Sequence, residues 1–334
     1  MNYFGLHIAD FVVIVVYLVG IATVGLWVAR SVKDTHSYFM GSRAFGKLLM
    51  IGQAFGVGTH AEQPVAVAGA AFRYGLSGIW YQWKFIFCTP FYWLIAPIFR
   101  RLRYITSAEY METRYGQGMG ILYTLYAIVF FIISMCGMLI GAGKVVGFAT
   151  GGQTSPEFVI YSMTAIFVIY SFFGGLVIVV LSVQSFISIF AQPHQMATIG
   201  TGKTENNCRV GFTYGNFIKR ICTLGWAVTG LIVAAMVLQG HTDKPGDNES
   251  AFGLACKELL GPGFMGLMIA CILAANMSTC SAFMVDMGAL FVQNIYRPYL
   301  RPSEADKHYL LVGFAIAWGV VGVLIGMAWL VGNI

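Results

Sequence analysis

Apolar residues run along this chain in long blocks separated by short polar stretches, with neither the two-residue alternation of a half-buried strand nor the narrow stripe of a surface helix. A helix needs about 20 mostly apolar residues to cross a bilayer. Runs of that kind predict spanning segments at 8–29, 46–72, 77–99, 119–148, 158–192, 221–238, 263–293 and 309–331. The first run has no basic leader or small-residue cleavage site ahead of it and is followed by Arg30 and Lys33, which predicts a retained anchor helix rather than a signal peptide. The run at 158–192 is too long for a simple pass and too short for two passes and a turn, with Gly174 and Gly175 in its middle. It reads as one pass, or as two halves of different helices joined.

Charge gives these segments a direction. The chain carries 20 Lys and Arg against 14 Asp and Glu. The basic residues gather after alternate runs: Arg30, Lys33, Arg43 and Lys47; Arg100, Arg101, Arg103 and Arg114; Lys203, Arg209, Lys219 and Arg220; Arg297, Arg301 and Lys307. The loop at 239–262 holds Asp243, Asp247, Glu249 and Glu258. The positive-inside rule then places the basic loops in the cytoplasm and the N-terminus outside, in a plasma or inner membrane. With 58% hydrophobic and 10% charged residues, where soluble domains carry about 25% charge, the chain is an all-α polytopic membrane protein with the bilayer as its partner. Its basic residues form no patch for a nucleic acid. Seven scattered Cys show no metal-ligand spacing, and Cys136, Cys222, Cys271 and Cys280 lie within apolar runs as packing residues.

The 46–72 run contains GVGTHAEQPVAVAGA at 56–70. Gly56 and Gly58 permit unwinding, and Pro64 cannot donate a helical hydrogen bond. His60, Glu62 and Gln63 stand in close succession where ionisable groups are costly unless they serve a function. A discontinuous helix offers carbonyl oxygens to a cation and half-helix ends to a substrate, so this stretch predicts a midplane binding site. A second stretch, LAANMSTCSAF at 273–283, puts Ala275, Ser278 and Thr279 at i, i+3 and i+4 on one helical face. That presents one carbonyl and two hydroxyls, the hard oxygen donors that suit Na⁺, although interhelical glue explains such residues equally well. Lys84 in WYQWKF either snorkels or holds a solute carboxylate; Gln192 and His194 flank a Pro where another helix would be interrupted and are further pocket candidates. Tyr81 and Trp83 read as interface or packing aromatics.

Taken together, GTHAEQPVAVAG and LAANMSTCS, with SVKDTHSYFMGSRAF after the first run, SAEYMETRYG at 107–116 and YSFFGGL at 170–176, resemble the sodium:solute symporter family of sugar, proline and pantothenate carriers over nearly the whole chain. The resemblance implies a LeuT-like five-plus-five inverted repeat with broken helices, preceded by one extra helix at 8–29, and alternating access driven by Na⁺. It implies a sodium site made of the carbonyls of Gly56, Thr59 and Ala275 with the hydroxyls of Ser278 and Thr279. For the family's sugar carriers it implies solute contacts from Gln63 and Gln82, with a Gln at 82 where some carry an acid.

One departure stands out: GGLVIVVLSVQSFISIFAQPH runs straight through where members have a turn, a fifth core helix and a loop. The expectation is an internal shortening near 177–185 that removes the fifth core helix, together with a missing tenth. The function expected is Na⁺-driven uptake of a small polar solute, a sugar, polyol, amino acid or carboxylate; the alternative is a shortened, non-transporting member that binds solute or partners only. Since snorkelling explains Lys84 without a ligand, a neutral solute is the simpler expectation. An intramembrane metalloenzyme built on His60 and Glu62 is a weaker reading, because no second His stands at ligand spacing on a nearby helix, and no enzymatic activity is expected.

Overall fold

Helices follow the apolar blocks, and their interruptions follow the glycines, prolines and polar clusters. The structure is a computed structural model that describes residues 2–3, 6–29, 39–56, 58–150 and 193–332. The 158–192 run, with Gly174, Gly175, the expected shortening near 177–185 and Gln192, lies outside the described residues. The described helices are α1 (Ile8–Ala29), α2 (Lys47–Gly56), α3 (Glu62–Tyr74), α4 (Trp80–Trp83), α5 (Tyr92–Leu102), α6 (Ser107–Tyr115), α7 (Gln117–Ala149), α8 (Pro193–Gly200), α9 (Glu205–Leu238), α10 (Ala251–Leu259), α11 (Phe264–Phe291) and α12 (Asp306–Gly332). Among them Gln117–Gly147, Glu205–Leu238 and the stretch Phe264–Leu300 are long and apolar enough to cross a membrane.

Three segments differ from the hydropathy reading. The 46–72 run is two helices, α2 and α3, separated by a non-helical turn. The 77–99 run is a 3-10 turn (Gly75–Ile79), the single turn α4, a second 3-10 turn (Thr89–Phe91) and then α5. Pro90 stands at the start of that second turn and cannot extend a helix arriving from α4. The third difference is α9, which begins at Glu205 instead of 221, so Lys219 and Arg220 lie inside a membrane-length helix and not in a loop. Hydropathy misses its first half because that half is held by other forces. The Thr204 hydroxyl caps it by accepting from the Asn207 N–H at 3.2 Å. Gly215 lets α2 approach so closely that a Cβ there would lie 2.7 Å from the Ile51 carbonyl oxygen.

The core forms where α7 meets α11. Phe131 and Phe283 stack with ring centroids 4.4 Å apart, among buried Met135, Leu139, Cys280 and Met284. The two ends of the bundle are chemically distinct. At one end Arg43 Nη2 donates to the Arg103 carbonyl at 2.7 Å, Arg100 Nε to the Gly202 carbonyl at 2.6 Å, and Asn294 Nδ2 to the Thr106 hydroxyl at 3.1 Å. These contacts bring the basic segments after the first, third, fifth and seventh runs to one face. At the other end α11 starts at Gly263 without a side-chain cap of its own, and Asp10 of α1 supplies one: its Oδ1 accepts from the N–H groups of Gly263 and Gly266, 2.7 Å each.

Candidate functional site

Between α2 and α3 the chain leaves helical geometry, and its backbone groups find partners elsewhere. Pro64 is the third residue of α3, where a missing N–H interrupts no helical bond. The end of α2 and the start of α3 meet at residues 58–61, where the Gly58 N–H donates to the Phe55 carbonyl at 3.1 Å and the Thr59 N–H to that of Gly56 at 3.4 Å. Asn276 of α11 holds this turn: its Oδ1 accepts from the Ala61 N–H at 2.9 Å while its Nδ2 donates to the Met138 carbonyl of α7 at 2.9 Å. Sequence reasoning passed over Asn276, which belongs to the same LAANMSTCS motif as the predicted ligands. Gly141 completes the cradle, since a Cβ there would sit 3.0 Å from the Glu62 Cα.

Gly56, Ala275 and Ser278 come together. The Ser278 hydroxyl lies 3.2 Å from the Gly56 carbonyl oxygen and 2.9 Å from that of Ala275. Thr59 and Thr279 flank them, and both hydroxyl oxygens are buried with no hydrogen-bond partner among the described residues. Several neutral oxygens thus converge at the C-terminal end of α2, where the helix dipole adds negative potential. Such a donor set suits a hard monovalent cation.

On the other side of the turn opens a cavity of about 240 Å³. Its lining brings together His60, Glu62, Gln63, Gln82 and Lys84, with Tyr81 beside them. His60 and Glu62 are hydrogen-bonded to each other, and Gln63 Nε2 donates to the Gly58 carbonyl at 3.2 Å. Lys84 places its ammonium 5.1 Å from the ring centroids of both Tyr81 and Phe85. His194 is buried and not part of that lining; it packs against Phe283 and Phe131 at centroid distances of 5.7 and 6.3 Å and stands within electrostatic range of His60.

The residues that sequence reasoning missed are Lys219 and Arg220. Arg220 Nη1 donates to Gln82 Oε1 at 3.0 Å, and its guanidinium lies 5.3 Å from the Phe85 ring centroid. Lys219 is 0% exposed, its Nζ has no hydrogen-bond partner among the described residues, and it stands within electrostatic range of Glu62 and Arg220. The signal available was their position only 15 and 16 residues after a Thr cap, within reach of a helix continuing into the next apolar run. No group of three or more His, Cys, Asp or Glu that could hold a metal occurs among the described residues, so His60 and Glu62 have no third ligand of that kind.

Comparison with known proteins identifies the family. The sodium:solute symporter family matches over residues 38–192 and 180–333. The osmoregulated proline transporter OpuE of Bacillus subtilis (strain 168) is 23% identical, covering 93% of this chain and 76% of its own length. The sodium/glucose cotransporter of Vibrio parahaemolyticus is 25% identical over 53% of this chain and 33% of its own. The OpuE alignment runs over 382 positions against a chain of 334, so that relative carries stretches this chain lacks. A solved Na⁺-coupled sialic acid symporter, in a substrate-bound outward-open state, superposes with a TM-score of 0.82 at 15% identity, covering 97% of this chain and 82% of that one; the likeness is one of fold. The chain therefore belongs to the sodium:solute symporter family, whose members are integral membrane transporters with Na⁺ as the coupling ion.

Proposed function

We propose that this protein takes up a small solute carrying a carboxylate group, driven by inward Na⁺ movement through alternating access. Na⁺ sits among the carbonyls of Gly56, Thr59 and Ala275 and the hydroxyls of Ser278 and Thr279. The solute occupies the adjoining cavity, where Gln63 and Gln82 hydrogen-bond its polar groups, His60 and Glu62 shape one wall, and Lys84 faces its charge. The N-terminus lies outside and the basic end of the bundle in the cytoplasm, a sidedness supported by the gathering of four basic segments on one face. At about 100 mV the entry of one charge supplies about 2.3 kcal/mol, enough for roughly fifty-fold accumulation before any sodium gradient is counted.

The observation that supports the solute class is the Lys219 ammonium, which has no hydrogen-bond partner among the described residues and lies within electrostatic range of Arg220 and Glu62. Lys84 lines the cavity together with its single carboxylate, Glu62, itself hydrogen-bonded to His60; Arg220 reaches the cavity through Gln82, and Lys219 lies within electrostatic range of Glu62. A buried cation without an anion costs several kcal/mol, and a solute carboxylate offsets that cost when it binds. This reading departs from the simpler expectation of a neutral solute, which rested on Lys84 alone. The same reading puts the segment that relatives carry and this chain lacks near 177–185, where the two family matches overlap at 180–192. Uptake by proteoliposomes tests the proposal. Na⁺-dependent accumulation of proline or N-acetylneuraminate but not of galactose supports it, and accumulation of galactose alone overturns the solute class.

A further inference from the structure

The two glutamines that line the cavity are held so that they offer it opposite ends of their amides. A glutamine amide accepts at its oxygen and donates at its nitrogen, so whatever holds one end decides which the cavity meets. Gln82 is buried, and its Oε1 accepts from Arg220 Nη1 at 3.0 Å. Arginine only donates, so the amide oxygen has to face it. The guanidinium lies over the Phe85 ring, and the Trp83 indole N–H fixes the backbone beneath it by donating to the Arg220 carbonyl at 3.1 Å. The two Gln82 N–H donors are thus left for the cavity, which Lys84 also lines.

Gln63 is turned the other way. Its Nε2 donates to the Gly58 carbonyl at 3.2 Å, an acceptor that only the nitrogen end can meet. Its Oε1 is buried with no hydrogen-bond partner among the described residues, and Glu62 Oε2, next along the chain in the same lining, is a second acceptor in that condition. The cavity therefore has one part that donates and another that accepts. Phe85, Phe130, Ile133 and Met138 add a wall that does neither. Two neighbouring acceptors, one of them a carboxylate, suit an ammonium better than a hydroxyl, which has a single proton for the two. At a protein-like packing density of about 0.74, a cavity of about 240 Å³ takes roughly 180 Å³ of solute, so one small molecule has to answer all three surfaces.

We propose that Glu62 Oε2 and Gln63 Oε1 receive the amine of the solute while Gln82 Nε2 and Lys84 hold its carboxylate, so that the protein carries a zwitterionic amino acid with an apolar side chain. This rests on the reading of a carboxylate solute, and the test separates the two. Purified protein in Na⁺ is titrated calorimetrically with the common amino acids, and each one that binds is compared with its desamino acid, its α-hydroxy acid and its carboxamide; pantothenate, N-acetylneuraminate and galactose are run beside them. At least one amino acid with an apolar side chain should bind, with its desamino and α-hydroxy counterparts weaker by about thirtyfold or more. Gln63→Glu keeps an acceptor and should retain that preference, whereas Gln63→Leu should cut it below about fivefold, with Na⁺ binding in the absence of solute unchanged in both. A desamino or α-hydroxy acid that binds as tightly as its parent overturns the proposal, as does a full preference in Gln63→Leu. Binding of pantothenate or N-acetylneuraminate with no amino acid bound overturns it and leaves the carboxylate reading standing. A carboxamide as tight as its parent acid, or binding of galactose alone, overturns both. The analogue series needs no variant, so it decides the case even if Gln63→Leu does not fold.

Discussion

The two sides of the broken helix solve different problems. On the Ser278 side, neutral oxygens from two helices converge, and the nearest contacts are a hydroxyl against two carbonyls at 3.2 and 2.9 Å. On the Lys84 side, the wall of a cavity of about 240 Å³ includes His60, Glu62 and Lys84, which carry or accept full charge, among neutral and apolar residues. An ion stripped of water is held well by carbonyl and hydroxyl dipoles, whose geometry the helix ends fix. A solute needs a site that can tell it from others, and buried polar groups left unpaired without the right ligand do that. On the proposed solute side the structure is least satisfied: Glu62 Oε2, Gln63 Oε1 and Lys219 Nζ are all buried without hydrogen-bond partners among the described residues.

The difference is sharpest if each side is broken separately. Ser278→Ala with Thr279→Ala removes two oxygens from a desolvated cation, each worth about 1–3 kcal/mol when left unreplaced. Na⁺ half-saturation should rise about a hundredfold, read by titrating Na⁺ against bound radiolabel. Unchanged Na⁺-dependence in the double variant removes this face of α11 from the site.

Next in size is Lys219→Met. It keeps most of the side chain's volume and deletes an unpaired buried charge, so the protein should melt at the same or a higher temperature. Affinity for a carboxylate solute should fall about thirtyfold, with Na⁺ binding in the absence of solute unchanged. Calorimetric titration with proline beside a melting curve checks both. A large fall in melting temperature with unaltered affinity would make Lys219 a structural residue.

How far the sequence showed these two sides differs for a physical reason. The sodium side depends on residues three and four apart on one helix and on a glycine-rich break, patterns that short-range spacing displays. The proposed solute side draws on side chains contributed by α9 from more than 130 residues away, in the half of that helix that hydropathy does not display. There a Thr cap and the close packing of Gly211 and Gly215 against α2 take the place of apolar composition. Charge counting assigned Lys219 and Arg220 to a cytoplasmic loop because it assumes that basic residues beside an apolar run lie outside it. His194 shows the converse: adjacency to a proline suggested a pocket, and the structure packs it against Phe283 and Phe131, outside the cavity lining but within electrostatic range of His60.

Asn276 joins the two sides, and its loss should disturb both moderately. Asn276→Ala leaves the Ala61 N–H and the Met138 carbonyl without their partner, a cost of about 1–3 kcal/mol each at most. Melting temperature should drop by a few degrees, and Na⁺ and solute affinities should each weaken by less than tenfold. Weakening of one affinity alone would mean that the turn is not a shared element.

The smallest effect belongs far from the break, at the basic end, where Arg101 makes two hydrogen bonds to Glu205 at 2.7 and 2.9 Å in full view of solvent. The Arg101 guanidinium holds the Glu205 carboxyl below its ordinary value. A carboxyl depressed in the folded state stabilises above its unfolded pKa, about 4.3 for glutamate, and the contribution is lost as pH falls through the depressed value. Exposed pairs of this kind contribute little because solvent and salt screen them. Arg101→Gln should therefore lower the melting temperature by no more than about 2 °C at pH 7, and the difference from wild type should vanish as pH falls below about 4. Melting curves of the two proteins from pH 7 to pH 3 check the sign. A difference that grows on acidification would show that Glu205 is held by something other than Arg101, and that the basic end depends on more than the surface pair and the carbonyl contacts of Arg43 and Arg100.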